Sequence, residues 1–127
     1  MSEKNDVMDL VRFMLCSHTS FVEKRIADAK YRKVFKDTAL CLISISSKFT
    51  DSNTQEIFDF KGEVELIKRS IELDKPNFFK AFFNEEHTYR LLAVEMVEDI
   101  VNSAISRFVN GDSKAYLELF DVKFEIS

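Results

Sequence analysis

Two glycines, Gly62 and Gly111, and one proline, Pro76, are all that a chain of 127 residues contains. Sandwiches, barrels and nucleotide-binding folds turn tightly many times. Those turns draw on glycine for positive φ and on proline for a fixed φ. A chain this short of both is expected to fold as helices joined by few loops. Its length suits one domain, residues 1–127, because globular domains cluster near roughly 100 to 150 residues. Hydrophobic residues at 46% against charged residues at 31% supply a core and exclude a disordered tail. The expected fold class is all-α: a single-domain bundle of five or six helices with a short extended C-terminal tail.

Periodicity places the helices. Val7, Leu10, Val11 and Met14 fall at i, i+3, i+4, i+7 and predict a first helix over residues 2–16. Ser17-His18-Thr19 breaks the stripe, and Ser20 with Glu23 has the S-x-x-E form of a capping box, so a second helix is expected from residue 20 toward 48, with a break near Lys36 open. Residues 39–45 are apolar nearly all round and suit a helix through the centre of the domain, the alternative being a short buried strand. Ile57, Phe60, Val64, Ile67 and Ile71 give the cleanest stripe and a helix over 55–74; a competing hairpin turning at Lys61-Gly62, with Phe58, Phe60, Val64 and Leu66 as its inward faces, would leave Ile67 and Ile71 unexplained. Gly62 inside that helix costs roughly 1 kcal/mol relative to alanine, for which a close helix crossing is the expected compensation.

Pro76 ends this helix, and Asn77 can cap a short one carrying Phe78, Phe79, Phe82 and Phe83. A long helix follows from residue 84 or 85 to 110, with Ala93, Val97, Ile100, Ala104 and Phe108 on its stripe and Gly111 as its cap. The helices at 55–74 and 85–110 are expected to form the axis of the bundle. Asp112 can cap a last short helix, after which Val122, Phe124 and Ile126 alternate with charge in an extended tail.

Reactive centres are hard to assemble from this sequence. Cys16 and Cys41 sit among apolar neighbours and are expected as reduced core residues, with a single disulfide between them left open. Cys16-Ser17-His18 lacks a second ligand pair, and Glu85-Glu86-His87 lacks the Glu-x-x-His spacing that turns both ligands inward, so no metal site is expected and His18 and His87 are read as surface or helix-end residues. Asp51-Ser52-Asn53 opens like a calcium loop, but Glu56 stands where the loop needs glycine and Gly62 where it needs a bidentate Glu. No G-x-S-x-G elbow and no glycine-rich phosphate loop occurs. Glu95, Glu98 and Asp99 share the polar side of the long helix, where solvation accounts for them. The expectation is a protein without catalytic residues, metal or cofactor.

Charge and surface carry what remains. With 22 acidic and 18 basic side chains the net charge is −4, which disfavours general coating of nucleic acid. No run approaches the roughly 20 apolar residues of a membrane span, and the polar start over residues 1–9 does not resemble a signal peptide, so a cytoplasmic location is expected. Locally, Lys24, Arg25, Lys30, Arg32, Lys33 and Lys36 stand against Glu23, Asp28 and Asp37, and Arg25, Arg32 and Lys36 are expected on one helical side. Residues 74–127 carry ten acidic and six basic side chains, so the two halves have opposite bias. Thirteen phenylalanines without tryptophan either enlarge the core or face a partner. Phe78, Phe79, Phe82 and Phe83 would cover about 140° of a helix, with Glu85 and Glu86 as a charged rim.

These features point to an interaction module, such as an adaptor, inhibitor or immunity-type binder. Its partner is another protein or a second copy in a homodimer, met through Phe78, Phe79, Phe82, Phe83, Glu85 and Glu86 and through Arg25, Arg32 and Lys36. Two alternatives stand beside it. One is a carrier of haem or an apolar ligand, suggested by His87 in a phenylalanine-rich helical chain although only about forty residues follow it. The other is a nucleic-acid-associated protein using the basic residues between 24 and 36.

Overall fold

The computed structural model describes residues 7–49, 55–74 and 85–109. Four α-helices account for most of them: α1 Val7–Glu23, α2 Ala29–Ser46, α3 Gln55–Leu73 and α4 Glu86–Ala104, the last running on into a π-helical turn, Ile105–Val109. The fold is therefore an all-helical bundle, with four helices among the described residues rather than five or six and no strand among them. The short helix expected at 77–83, the cap at Gly111, the last helix from Asp112 and the extended tail lie outside the described residues, as does the stretch compared with a calcium loop before Gln55.

The α1–α2 boundary differs most from expectation. Helix α1 does not stop at Ser17 but continues to Glu23, because His18 and Thr19 extend its buried face beyond Met8, Val11, Met14 and Leu15. Tertiary burial overrides the weak propensity of Ser-His-Thr. Ser20 consequently lies inside a helix and Glu23 ends it, so no capping box starts there. The N-cap of α2 is Asp28, in an extended conformation, whose Oδ1 accepts from the Lys30 amide at 2.8 Å. Helix α2 then runs unbroken past Lys36, and residues 39–45 are helix, not strand. His18, expected at the surface or at a helix end, is buried within α1.

Helix α4 is the hub. It packs most extensively on α2 and α3 and also on α1, whereas α3 touches α1 and α2 only slightly. Ala93, Val94, Met96, Val97, Ile100, Val101, Ser103 and Ala104 are all buried, and at roughly 100° per residue they cover about half the helix circumference. A helix needs that width when partners flank it on more than one side. The expected axis of two helices is thus one helix with α2 and α3 on it. Each surrounding helix offers a narrower stripe: Phe35, Ala39, Leu42 and Ser46 from α2, and Ile57, Phe60 and Val64 from α3, with Ile67 and Ile71 partly buried beside them.

Neither cysteine belongs to this core. Cys16 and Cys41 are free, as expected, but exposed, contrary to expectation. Each is next in sequence to a fully buried leucine, Leu15 or Leu42, and the rotation per residue turns it about 100° away from that leucine's face. Apolar neighbours in sequence are not neighbours in space on a helix.

Gly62 also departs from expectation. It lies inside α3, which rules out the hairpin, but a Cβ added there would meet nothing within 4 Å, so no close crossing compensates for it. Gly62→Ala should therefore stabilise the monomer by about 1 kcal/mol, since alanine restricts the unfolded chain and meets no clash. The urea midpoint at micromolar concentration reads this directly; an unchanged or lower midpoint would mean that the helix is distorted at this point.

One ion pair joins α3 to α4. Lys68 Nζ lies 2.9 Å from Glu98 Oε1, with the side chains 28% and 20% exposed. Glu98 is thus a structural partner and not simply part of a solvated face. The hydrogen bond to Glu98 raises the Lys68 pKa above the ordinary 10.5, its charge adds to the rise, partial burial opposes it, and Glu72 and Glu95 reinforce it weakly. A cation whose pKa is raised on folding stabilises fully below its unfolded value, and that contribution disappears as pH climbs through the folded value. With both side chains partly solvated the pair is worth about 0.5 to 1 kcal/mol. Lys68→Met should lose that amount at pH 7, and the difference from wild type should close above about pH 10.5 in urea titrations. A difference that persists unchanged at pH 11 would place the effect in packing and not in charge.

Candidate functional site

The corner where α1 turns into α2 holds most of the charge singled out in the sequence. Helix α1 ends in a turn whose Arg25 and Ile26 amides reach back to the Val22 and Glu23 carbonyls at 2.9 and 3.2 Å. Arg32, one turn into α2, folds back over this loop. Its Nε and Nη2 donate to the Ile26 and Ala27 carbonyls at 3.0 Å each. The loop is thus held by a guanidinium that satisfies two backbone acceptors, which gives the corner a fixed shape. Ile26, buried beneath it, pins the loop to the core.

The expected stripe of Arg25, Arg32 and Lys36 does not form. Arg25 is in the loop, its guanidinium 4.0 Å from the centroid of the Phe21 ring. Arg32 is occupied with loop carbonyls, and Lys36 faces Glu23 at 3.7 Å. Lys33 pairs with Asp37 at 2.8 Å. The three residues gather at one corner but each is tied to a different anchor. Lys24, exposed on the turn, has no carboxylate partner among the described residues.

Two open grooves meet at Lys24. One, of about 600 Å³, runs along the outer face of α1 past Phe13, Cys16, Ser17, Ser20 and Phe21 to Lys24 and Arg25. The other, of about 610 Å³, lies between the end of α1 and the first turns of α2, where Glu23, Lys24, Arg32, Lys33 and Lys36 line it. Phe13 is 67% exposed. The floor of the first groove is therefore apolar and aromatic, and the junction with the second is cationic.

Glu85 and Glu86 sit nearby at the start of α4. The Glu85 amide donates to the Tyr31 hydroxyl at 3.2 Å, Glu86 accepts from Arg90 at 3.1 Å, and Lys30 lies 3.7 Å from Glu86. Tyr31 and Tyr89 stack with centroids 5.0 Å apart. These contacts dock the beginning of α4 onto the beginning of α2, so the acidic pair borders the same end of the bundle as the cations. Phe78, Phe79, Phe82 and Phe83 lie outside the described residues.

Sequence reasoning passed over Phe13 and counted Lys24 only as one of the basic residues between 24 and 36. The signal for Phe13 was present: it lies well off the Val7, Val11, Met14 stripe, on the helix side that carries Cys16 and Ser20, where a solvated aromatic is conspicuous. Cys16 and His18 are two residues apart on α1 and turn to opposite sides, one exposed and one buried, so the thiol and imidazole do not converge. Comparison of the chain with known protein families, with curated proteins and with solved structures found no significant match.

Proposed function

We propose that this chain is a small interaction module acting by binding and not by catalysis, and that its α1–α2 corner takes an acidic polypeptide segment bearing an apolar side chain. The observation that carries this reading is the junction at Lys24. There an exposed aromatic floor with Phe13 and Phe21 adjoins Lys24 and Arg25, cations with no carboxylate partner among the described residues. Apolar area supplies affinity in such a surface, and a partner's carboxylates are steered and oriented by the cations. Arg32 keeps the corner in shape, so little is spent on ordering it when the partner arrives. Two exposed free thiols suit a reducing, cytoplasmic setting, and no described helix is long and apolar enough to cross a membrane.

The alternatives draw less support. A nucleic-acid site would want its cations free to reach phosphates, whereas Arg32, Lys33 and Lys36 are engaged with carbonyls or carboxylates. A carrier of haem or an apolar ligand would want an enclosed cavity, and the two grooves here are open and charged at their junction.

Fluorescence anisotropy with short labelled peptides tests the reading. A peptide combining Leu or Phe with flanking Asp and Glu should bind more tightly than its neutral or basic counterparts, and more weakly as salt is raised. Lys24→Glu with Arg25→Glu should weaken it about tenfold, near 1.4 kcal/mol, and Phe13→Ser by several-fold. Equal affinity for basic peptides, indifference to these substitutions, or tighter binding of a random DNA duplex would refute it.

A further inference from the structure

Helix α3 turns a second apolar surface outward, separate from the α1–α2 corner. Phe58 is 41% exposed, Leu66 60% and Leu73 84%. At roughly 100° per residue these three and Gly62 fall within an arc of about 80°, opposite buried Phe60 and Val64. Phe58, Gly62 and Leu66 follow one another at intervals of four, so the glycine is a notch between two large side chains, and a Cβ placed in it would meet nothing within 4 Å.

Carboxylates border this strip on both sides. Exposed Asp59 and Glu63 flank one edge, exposed Glu65 and Glu72 the other, and none of the four has a cationic partner among the described residues. Of the cations of α3, Lys68 is paired with Glu98 on α4 and Lys61 is half-buried, which leaves Arg69 as the exposed one on this face. The surroundings of the apolar strip are therefore negative.

We propose that this face takes a basic amphipathic helix of another protein. The partner's apolar stripe lies along Phe58, Leu66 and Leu73, one of its large side chains enters the notch at Gly62, and Lys or Arg on both flanks of the stripe meet the two acidic borders. Charge complementarity selects this occupant. A second copy would set carboxylates against carboxylates, and an anionic membrane or nucleic acid would be repelled in the same way. A neutral helix would remove water from beside four carboxylates and give them nothing in return. Shape selects a helix, because large side chains and a notch along about 22 Å of helical surface match the ridges and grooves of another helix. Arg69 sets the register: the partner places a small or acidic residue opposite it.

This face and the α1–α2 corner differ in sign, so the ligand of one is repelled by the other. Short basic peptides are not ligands here, since a helix of fewer than about 12–15 residues is marginal in water.

NMR titration of the isotope-labelled full chain with a helical peptide of about 18 residues, Leu on one stripe with Lys and Arg beside it, tests this. Amide shifts should concentrate in residues 58–73, affinity should fall as salt rises, and the same peptide with Glu for Lys and Arg should not bind. Glu63→Lys should weaken binding about fivefold, whereas Asp37→Lys, the same charge change on exposed α2 surface, should leave it within about twofold. Leu66→Ser should weaken it about fivefold, and Arg69→Ala should tighten it about twofold. Gly62→Gln should raise the urea midpoint and yet weaken binding several-fold, because it favours the helix and fills the notch, so recognition is separated from stability. No shifts up to about 1 mM peptide, equal binding of the acidic peptide, indifference to Leu66→Ser, or equal weakening by Asp37→Lys would overturn the proposal. So would self-association that Leu66→Ser abolishes, which would give the face to a second copy. Phe13→Ser should bind the helical peptide unchanged, so this proposal and that for the corner can fail separately.

Discussion

Phe60→Ala is expected to cost about 3–5 kcal/mol, and Phe58→Ala, two residues away in the same helix, about 1 kcal/mol. Phe60 is fully buried and its ring centre lies 5.9 Å from that of Phe49, joining α3 to the segment that follows α2. Removing it leaves a cavity that rigid helices on either side cannot collapse into. Phe58 is 41% exposed on the outer face. A domain of this size is held by about 5–15 kcal/mol, so the Phe60 variant should be marginal or unfolded at 37 °C while the Phe58 variant stays folded. Urea denaturation of the two in dilute solution measures the contrast. The pair also tests the helical phase of α3, because in a hairpin residues 58 and 60 would face the same way and the two losses would be equal.

Arg12→Ala should cost about 2–3 kcal/mol, the largest effect expected of any charged residue in the described chain. Its Nη1 donates to the Ser46 and Phe49 carbonyls at 2.8 and 3.0 Å, and its other terminal nitrogen is bonded to Asp9. Helix α2 has no basic residue in its last turn. Arg12 therefore supplies from α1 what α2 lacks: a second donor for the Ser46 carbonyl, which also accepts from the Phe49 amide at 3.1 Å, a donor for the Phe49 carbonyl just beyond the helix, and a positive charge at the negative end of the helix dipole. Charged hydrogen bonds to partly buried acceptors are worth roughly 1.5–3 kcal/mol, and cutting them leaves those acceptors exposed to a poor environment. Arg12→Lys keeps the charge but not the planar fork whose one nitrogen holds the two carbonyls while the other holds Asp9, so it should recover only part of the loss. Asp9→Ala, whose side chain is 70% exposed, should cost well under 1 kcal/mol. Equal losses for Asp9→Ala and Arg12→Ala would show that the stabilisation comes from the surface ion pair and not from the α2 terminus.

The helices that read well from sequence are those whose stripe depends on local spacing alone. Helix α3 was legible because Ile57, Phe60, Val64, Ile67 and Ile71 follow one period, and α4 because Ala93, Val97, Ile100 and Ala104 do the same over about three turns. The α1–α2 boundary was not, because the S-x-x-E pattern at Ser20 is a local signal. What decides the boundary is non-local: His18 and Thr19 enter the core, and Asp28 then caps α2. Cysteine burial failed for a related reason, since neighbouring letters on a helix face different ways. At the candidate site the basic bias of residues 24–36 was visible, but the pairing was not. Lys36 with Glu23 and Lys30 with Glu86 depend on how helices dock, and Glu86 is far from Lys30 in sequence. Phe58 and Leu66 drew notice only as faces of a hairpin, and their place on an outer helix face emerged once α3 was seen to be continuous.

The central structural statement is that α4 is the hub on which the other three helices rest. Native-state hydrogen exchange tests it most directly, because amides at the hub can open only when the whole domain does, while outer helices can open earlier. The account predicts that residues 93–101 exchange last, with opening free energies equal to that of global unfolding, and that amides in the final turns of α3 exchange sooner. Exchange of residues 93–101 ahead of the buried faces of α1 and α3 would contradict it.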